Sequence, residues 1–230
     1  MLKYCCIYSL LFSLMGIEAI YAQSIALKEV QVESNRITNF SSGIKTETID
    51  SIALKSYQNS SLADLLAEQT PVFVKNYGSG GLATTSFRGA GAGHTAVIWN
   101  GFNIQSPLNG QIDFSLIPVS SANRIALQYG GTGALWGSGA VGGAIHLLST
   151  PKFEQGLKVG LSLSAGSFGH FKQALNMNWG AKKYAGSLQV FEQHANNNFP
   201  YYNTLKEGIP LETQRHAQVH QYGILQENYF

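Results

Sequence analysis

Gly130, Gly131, Gly133, Gly137, Gly139, Gly142 and Gly143 crowd a single stretch, and Gly137-Ser138-Gly139-Ala140-Val141-Gly142 spells G-x-G-x-x-G. In a dinucleotide-binding loop those glycines would let the backbone approach a pyrophosphate, and hydride transfer would be the chemistry served. That site also needs a strand before the loop, a helix opening from it, and an acid about 20 residues further on. Ala144 to Leu148 is too short before Pro151 to be a crossover helix and reads as a strand, and the next acid, Glu154, comes too early. The glycines therefore read as backbone that turns tightly or lies against another segment. His194, His216 and His220 lack the spacing and carboxylates of a zinc site, so no metal is expected. No G-x-S-x-G, paired-acid or phosphate-loop arrangement is present, and the sequence predicts neither an enzyme nor a cofactor.

The first residues predict a compartment. Lys3, the apolar run from Tyr4 to Met15, and Ile20-Tyr21-Ala22 ahead of Gln23 have the form of a Sec signal peptide over residues 1–22. Its removal would take away Cys5 and Cys6, the only cysteines, leaving no thiol or disulfide chemistry. Charged residues make up 12% of the chain, about half the usual share, and the net charge of +2 does not suggest a nucleic-acid partner. Low charge with 25 glycines and 11% aromatic residues suits a β-rich chain, including one of the outer membrane.

The elements that position these residues follow in order. Leu27, Lys28, Glu29, Val30, Gln31 and Val32 alternate like a short strand within a polar segment, residues 23–35. Residues 36–152 read as an α+β domain. Asn59-Ser60-Ser61 caps a helix on which Leu62, Leu65 and Leu66 share a face, and Pro71 ends it. Strands are predicted over Val72 to Asn76, Thr84 to Arg88, Thr95 to Asn100, Arg124 to Tyr129 and Ala144 to Ser149. Residues 153–230 then alternate with period two over Leu157 to Ala165, Gln173 to Trp179 and Ala185 to Phe191, and a further strand is predicted to begin within Gln218 to Phe230. That pattern fits transmembrane β-strands, and equally a soluble antiparallel sheet.

Five elements in order resemble the plug domain of TonB-dependent outer-membrane receptors, nearest the vitamin B12 receptors. They are Ser61 to Val74, Thr85-Ser86-Phe87-Arg88-Gly89, Ala96-Val97-Ile98-Trp99-Asn100-Gly101, Ile117-Pro118 with Arg124-Ile125, and Trp136 to Ile145. The resemblance implies an α+β plug domain followed by the first antiparallel strands of an incomplete transmembrane β-barrel. A receptor barrel has about 22 strands, so the chain is expected to be the N-terminal part of a longer receptor. The resemblance further implies active uptake of a large scarce nutrient, cobalamin or a ferric siderophore, with the N-terminus in the periplasm. Leu27 to Val32 would be the TonB box, recruited by the TonB energy-coupling protein through strand pairing, or else the first strand of the plug, since β-alternation does not separate the two. Tyr77, His94, Gln105 and Asn109 would meet the ligand from the outer plug loops, and Arg88 and Arg124 would seat the plug.

The chain departs from the family pattern at Asn100, where an aspartate is common, and at Ala126 and Tyr129-Gly130-Gly131, where an acid and Arg-Gly-Pro are common. Its plug must therefore be seated with fewer ion pairs. A secreted β-rich ligand-binding module without transport is the alternative reading.

Overall fold

The computed structural model describes residues 43–78, 80–130 and 133–230. The expected signal peptide, residues 1–22, and the Leu27 to Val32 segment lie outside the described residues.

Ser61 starts the main helix. Its hydroxyl accepts the Asp64 N–H at 3.2 Å while the Asp64 carboxylate accepts the Ser61 N–H at 3.1 Å, a reciprocal cap that satisfies two otherwise orphaned donors. Helix α2 (Leu62–Gln69) follows, with Leu62, Ala63, Leu65 and Leu66 buried. The Thr70 hydroxyl donates to the Leu66 carbonyl at 2.6 Å and closes the helix just before Pro71. A short helix α1 (Ser51–Ser56) and an edge strand β1 (Lys45–Thr48) precede it, and neither is predicted from the sequence. The strands β2 (Phe73–Asn76) and β3 (Ala83–Ser86) form a separate hairpin.

A five-stranded mixed sheet carries the rest of the first domain, in the order β1-β6-β7-β4-β5. Its other members are β4 (Thr95–Trp99), β5 (Phe102–Asn103), β6 (Arg124–Tyr129) and β7 (Gly143–Leu148). Strands β4 and β7 run parallel, and every other pair is antiparallel. Alternation divides the side chains between two cores. Val97, Ile125, Leu127, Ile145 and Leu147 pack with α2, Phe87 and Phe114, whereas Ala96, Ile98 and Ala144 pack under Ala140 and Trp136 from the glycine-rich connection. That connection holds a one-turn helix, α3 (Gly133–Trp136), and runs directly into strand β7. The order strand, glycine loop, long helix required for a dinucleotide is therefore not what the G-x-G-x-x-G letters produce. Gly142 and Gly143 are there for close approach: a β-carbon on Gly142 would lie 2.9 Å from Ala90 Cβ, and one on Gly143 would lie 2.7 Å from the Gln128 carbonyl oxygen.

The second sheet is a four-stranded antiparallel meander of β8 (Gly156–Ala165), β9 (Phe171–Gly180), β10 (Ala185–Ala195) and β13 (Val219–Tyr229), with β8 and β13 at its edges. The last of these is a full strand, paired with β10 along its whole length. A two-stranded hairpin, β11 (Pro200–Tyr202) and β12 (Leu211–Thr213), lies within the long connection between β10 and β13. We call the end of this sheet where the chain enters at Gly156 the near end, and the opposite end the far end. Register places Leu157, Trp179, Val159, Met177, Leu188, Leu161, Leu175, Val190 and Ile224 on one face. Leu157, Val159, Leu161 and Leu163 are each more than half exposed there. At the near end of this face Tyr184 stacks between Trp179 and Phe230 with centroids 6.5 and 5.2 Å away. Towards the far end the same face turns polar, where Glu192 accepts from Gln173 Nε2 at 2.6 Å and pairs with His220 Nε2 at 2.9 Å. An apolar band with aromatics at its near end is the pattern expected on the outer face of transmembrane β-strands.

Inside the first domain, His146 is buried with its Nε2 3.0 Å from Gln128 Oε1 and its ring 5.2 Å from Trp136. Burial pulls its pKa from 6.5 to about 4. The unfolded chain therefore binds the proton first as pH falls: the stability contribution is complete above about pH 6.5 and is lost progressively toward pH 4. The loss should reach about 3 kcal/mol at most. Hydrogen exchange of the β6 and β7 amides, corrected for intrinsic rates, should show this slope, and His146→Gln should flatten it.

Candidate functional site

Strands β4 and β7 run in parallel toward the near end, where Asn100 meets Glu227, so the loops that precede them lie toward the far end. The apex of the β2–β3 hairpin reaches the second sheet: a β-carbon on Gly80 would collide with Val219 at the start of β13. Beside the hairpin a groove of about 490 Å³ is lined by Phe73, Lys75, Tyr77, Leu82, Ala92 and Gln111. Phe73 and Tyr77 are 66% and 62% exposed, so two aromatic faces are free to stack. Lys75 Nζ lies 4.9 Å from the centre of the Tyr77 ring and adds one cation to the rim. The groove suits a large ligand with flat or apolar parts. Phe73 and Lys75 are not among the residues predicted from sequence, although their period-two spacing from Tyr77 is the signal for a shared strand face.

The predicted contact residues are placed as follows. Tyr77 lines the groove. His94 is exposed, and its backbone is pinned by the Gly142 N–H, which donates to the His94 carbonyl at 2.9 Å. Gly93, its neighbour, lies beside the next loop, where a β-carbon would make an ordinary contact with the Asn109 carbonyl oxygen at 3.6 Å. Asn109 Oδ1 accepts the Gln111 N–H at 3.1 Å in a local turn. The Gln105 amide is committed to this scaffold: Nε2 donates to Gly110 O at 2.6 Å and Thr95 O at 3.0 Å, and Oε1 accepts from Asn103 Nδ2 at 3.1 Å. Gln105 thus braces the loop that presents Asn109.

Contacts that seat the first domain on the second sheet all use the face opposite the apolar band. Lys172 Nζ donates to Asn59 O. Gln189 Nε2 donates to Ser120 O at 2.5 Å, and the Ser120 hydroxyl donates back to Gln189 Oε1 at 3.3 Å. Glu227 Oε1 accepts from Trp99 Nε1 at 3.4 Å and Asn100 Nδ2 at 3.1 Å, and the Tyr229 hydroxyl donates to Ser149 O at 3.3 Å. The sequence reading passed over these four wall residues, yet alternation alone puts them on the polar face. Among the described residues, Arg88 makes no hydrogen bond or ion pair; it is exposed at φ 52° in a tight turn with Gly89. Arg124 Nη2 lies 3.5 Å from Thr48 Oγ1, within the first domain.

Residues 38–144 match the model of the TonB-dependent receptor plug domain. The vitamin B12 transporter BtuB of Photobacterium profundum is 35% identical over 106 residues, 46% of this chain and 17% of the relative. BtuB of Vibrio cholerae is 30% identical over 140 residues, 60% of this chain and 22% of the relative. The chain spans about a fifth of the length of these curated relatives. Among solved structures, the copper transporter OprC superposes with a TM-score of 0.54 at 24% identity, covering 66% of this chain and 24% of that one, and so shares its fold.

Two substitutions separate bracing from contact. Gln105→Ala leaves the Thr95 and Gly110 carbonyls without their donor, at about 1–3 kcal/mol of local stability. Exchange of the Gly110 amide should rise about tenfold or more. Tyr77→Ala should leave that exchange rate unchanged and weaken ligand binding.

Proposed function

We infer, from a chain that carries the plug domain of a TonB-dependent receptor and the wall strands that follow it, that the full protein is an active importer of the bacterial outer membrane. Its cargo is a large scarce nutrient, a cobalamin or a ferric-siderophore-type molecule. The observation that carries this reading is the two-faced second sheet: one face is an apolar band rimmed by aromatics, and the other holds the plug through polar contacts.

Orientation follows from the connections. The near end has the tight turn 181–184, and the far end has the long connection 196–218. Short turns face the periplasm and long loops face outward in outer-membrane barrels. The groove beside Tyr77 then opens outward, where His94 and Asn109 complete the ligand surface, and the chain's N-terminal segment faces the periplasm. The aromatic faces of Phe73 and Tyr77 favour a ligand with a broad ring system, in keeping with vitamin B12 transporters among the relatives.

Coupling would run through Leu27 to Val32. An alternating segment of this kind adds as a strand to an open sheet edge of the TonB energy-coupling protein. Its pull reaches the plug through β1, an edge strand held by four residue pairs. Arg88 and Arg124, unpaired with the four wall strands, would seat against strands further round the barrel. The mechanism moves the ligand without changing it, so the protein acts as a transporter and not as an enzyme.

Two measurements test this reading. The full-length gene product should remain with the outer membrane until detergent is added, and recovery in the soluble periplasmic fraction would instead favour a secreted binding module. Val30→Pro removes one N–H from the proposed strand edge. It should abolish uptake while ligand binding persists; uptake at the normal rate would dismiss the Leu27 to Val32 assignment.

A further inference from the structure

Glu227 is the only acidic side chain, among the described residues, on the plug-facing side of the four wall strands. All its partners are neutral. Oε1 takes Trp99 Nε1 and Asn100 Nδ2, and Oε2 takes the Ser187 hydroxyl at 3.3 Å. Asn100 is bonded in three directions: its N–H donates to Leu147 O at 2.9 Å, its Oδ1 accepts the Ser149 N–H at 2.8 Å, and its Nδ2 reaches Glu227. The backbone fixes this arrangement. Asn100 and Gly101, at φ 45° and 91°, form the two-residue turn between β4 and β5, a conformation that Asn-Gly supplies at little cost. Tyr229, two residues beyond Glu227 on the same face, ties Ser149 to the wall and closes the network.

We propose that Asn100 and Glu227 form the latch that seats this plug on its wall. The proposal rests on the receptor reading above. Aspartate at position 100 would keep an acceptor for the Ser149 N–H. Toward Glu227, however, it would present a second carboxylate in place of a donor, and two carboxylates at hydrogen-bond distance repel each other. Exchanging the two chemistries restores the fit: the amide introduced by Glu227→Gln can donate to the carboxylate introduced by Asn100→Asp, which still accepts from Ser149. Both residues are positioning residues, since neither touches the ligand groove.

The test uses the purified full-length receptor in planar lipid bilayers, without the energy-coupling protein, and reads ionic leak past the plug. Asn100→Asp should raise the leak about tenfold, since like charges brought together at an interface cost several factors of RT. Glu227→Gln alone should change it little, because its amide oxygen still accepts from Asn100. The double variant Asn100→Asp/Glu227→Gln should return the leak to within about twofold of the starting protein, an effect of pair coupling that general loosening of the fold would not produce. An Asn100→Asp protein that stays tight in a folded barrel overturns the latch, and so does a double variant that leaks as much as Asn100→Asp. If the unmodified protein forms no bilayer-inserted barrel at all, the receptor reading fails with it, which separates the two failures.

Discussion

Everything in this chain is organised by the requirement that a wall strand in lipid satisfy its backbone through its neighbours, while its side chains face two different solvents. Period-two alternation is the only pattern that meets both demands, because a one-residue slip would turn every polar side chain toward hydrocarbon. The four wall strands keep their register along their full lengths: Leu161, Leu175, Val190 and Ile224 form one row outward, and Asn176 and Gln189 lie in the neighbouring row inward. Glu192 and His220 stand on the outward face only near the far end, where the apolar band stops. The plug is bound to what the inward face offers. Its hydrogen bonds to the wall run to Lys172, Gln189, Glu227 and Tyr229.

The plug solves a different problem, because it must be compact enough to fit within a wall and still cover both faces of its sheet. Helix α2 covers one face, with three leucines at helical spacing. Only the glycine-rich connection is available for the other, and it does so thinly: Trp136 and Ala140 lie over alanines at 96 and 144. Small residues above and below let the connection approach, and Gly142 and Gly143 remove the last β-carbons that would hold it away. The residues that spell a nucleotide loop by letter are thus a packing surface, and the buried His146 and Gln128 lie under the same cover.

Much of this was legible in the sequence, and the exceptions have physical reasons. Helix α2 was readable because cap, apolar spacing and Pro71 agree, and the interior strands were readable because each carries several apolar or β-branched residues in a row. Strand β1 and helix α1 were not: Lys45-Thr46-Glu47-Thr48 has no apolar face, and it holds through pairing with β6 and the Tyr129 hydroxyl, which donates to Glu47 at 3.0 Å. Ser51 to Ser56 buries nothing fully, so it offers no periodic signal. In the far-end loops the sequence could mark Tyr77, His94, Gln105 and Asn109 as polar or aromatic loop residues. It could not separate them by role, because the commitment of Gln105 to Thr95 and Gly110 depends on two loops that meet only in the fold.

The neutral seating contacts bear on how such a plug can be both tight and movable. A buried ion pair is hard to part, since separation strands two charges that must each be desolvated or find new partners. Amide and hydroxyl contacts such as Gln189 with Ser120, or Tyr229 with Ser149, can be exchanged for water nearly one for one when the plug shifts, so each step of the movement is shallow. Glu227 accepts from Trp99 and Asn100 of the plug and from Ser187 of β10, so its side-chain oxygens tie the two sheets at one point through acceptance of hydrogen bonds. A seat made of exchangeable hydrogen bonds, with Lys172 and Glu227 as its charged members and no ion pair between plug and wall among the described residues, holds one register without resisting motion altogether. On the importer reading proposed above, that is the mechanical behaviour a plug would need if it is to close a barrel at rest and yield to a pull from one end.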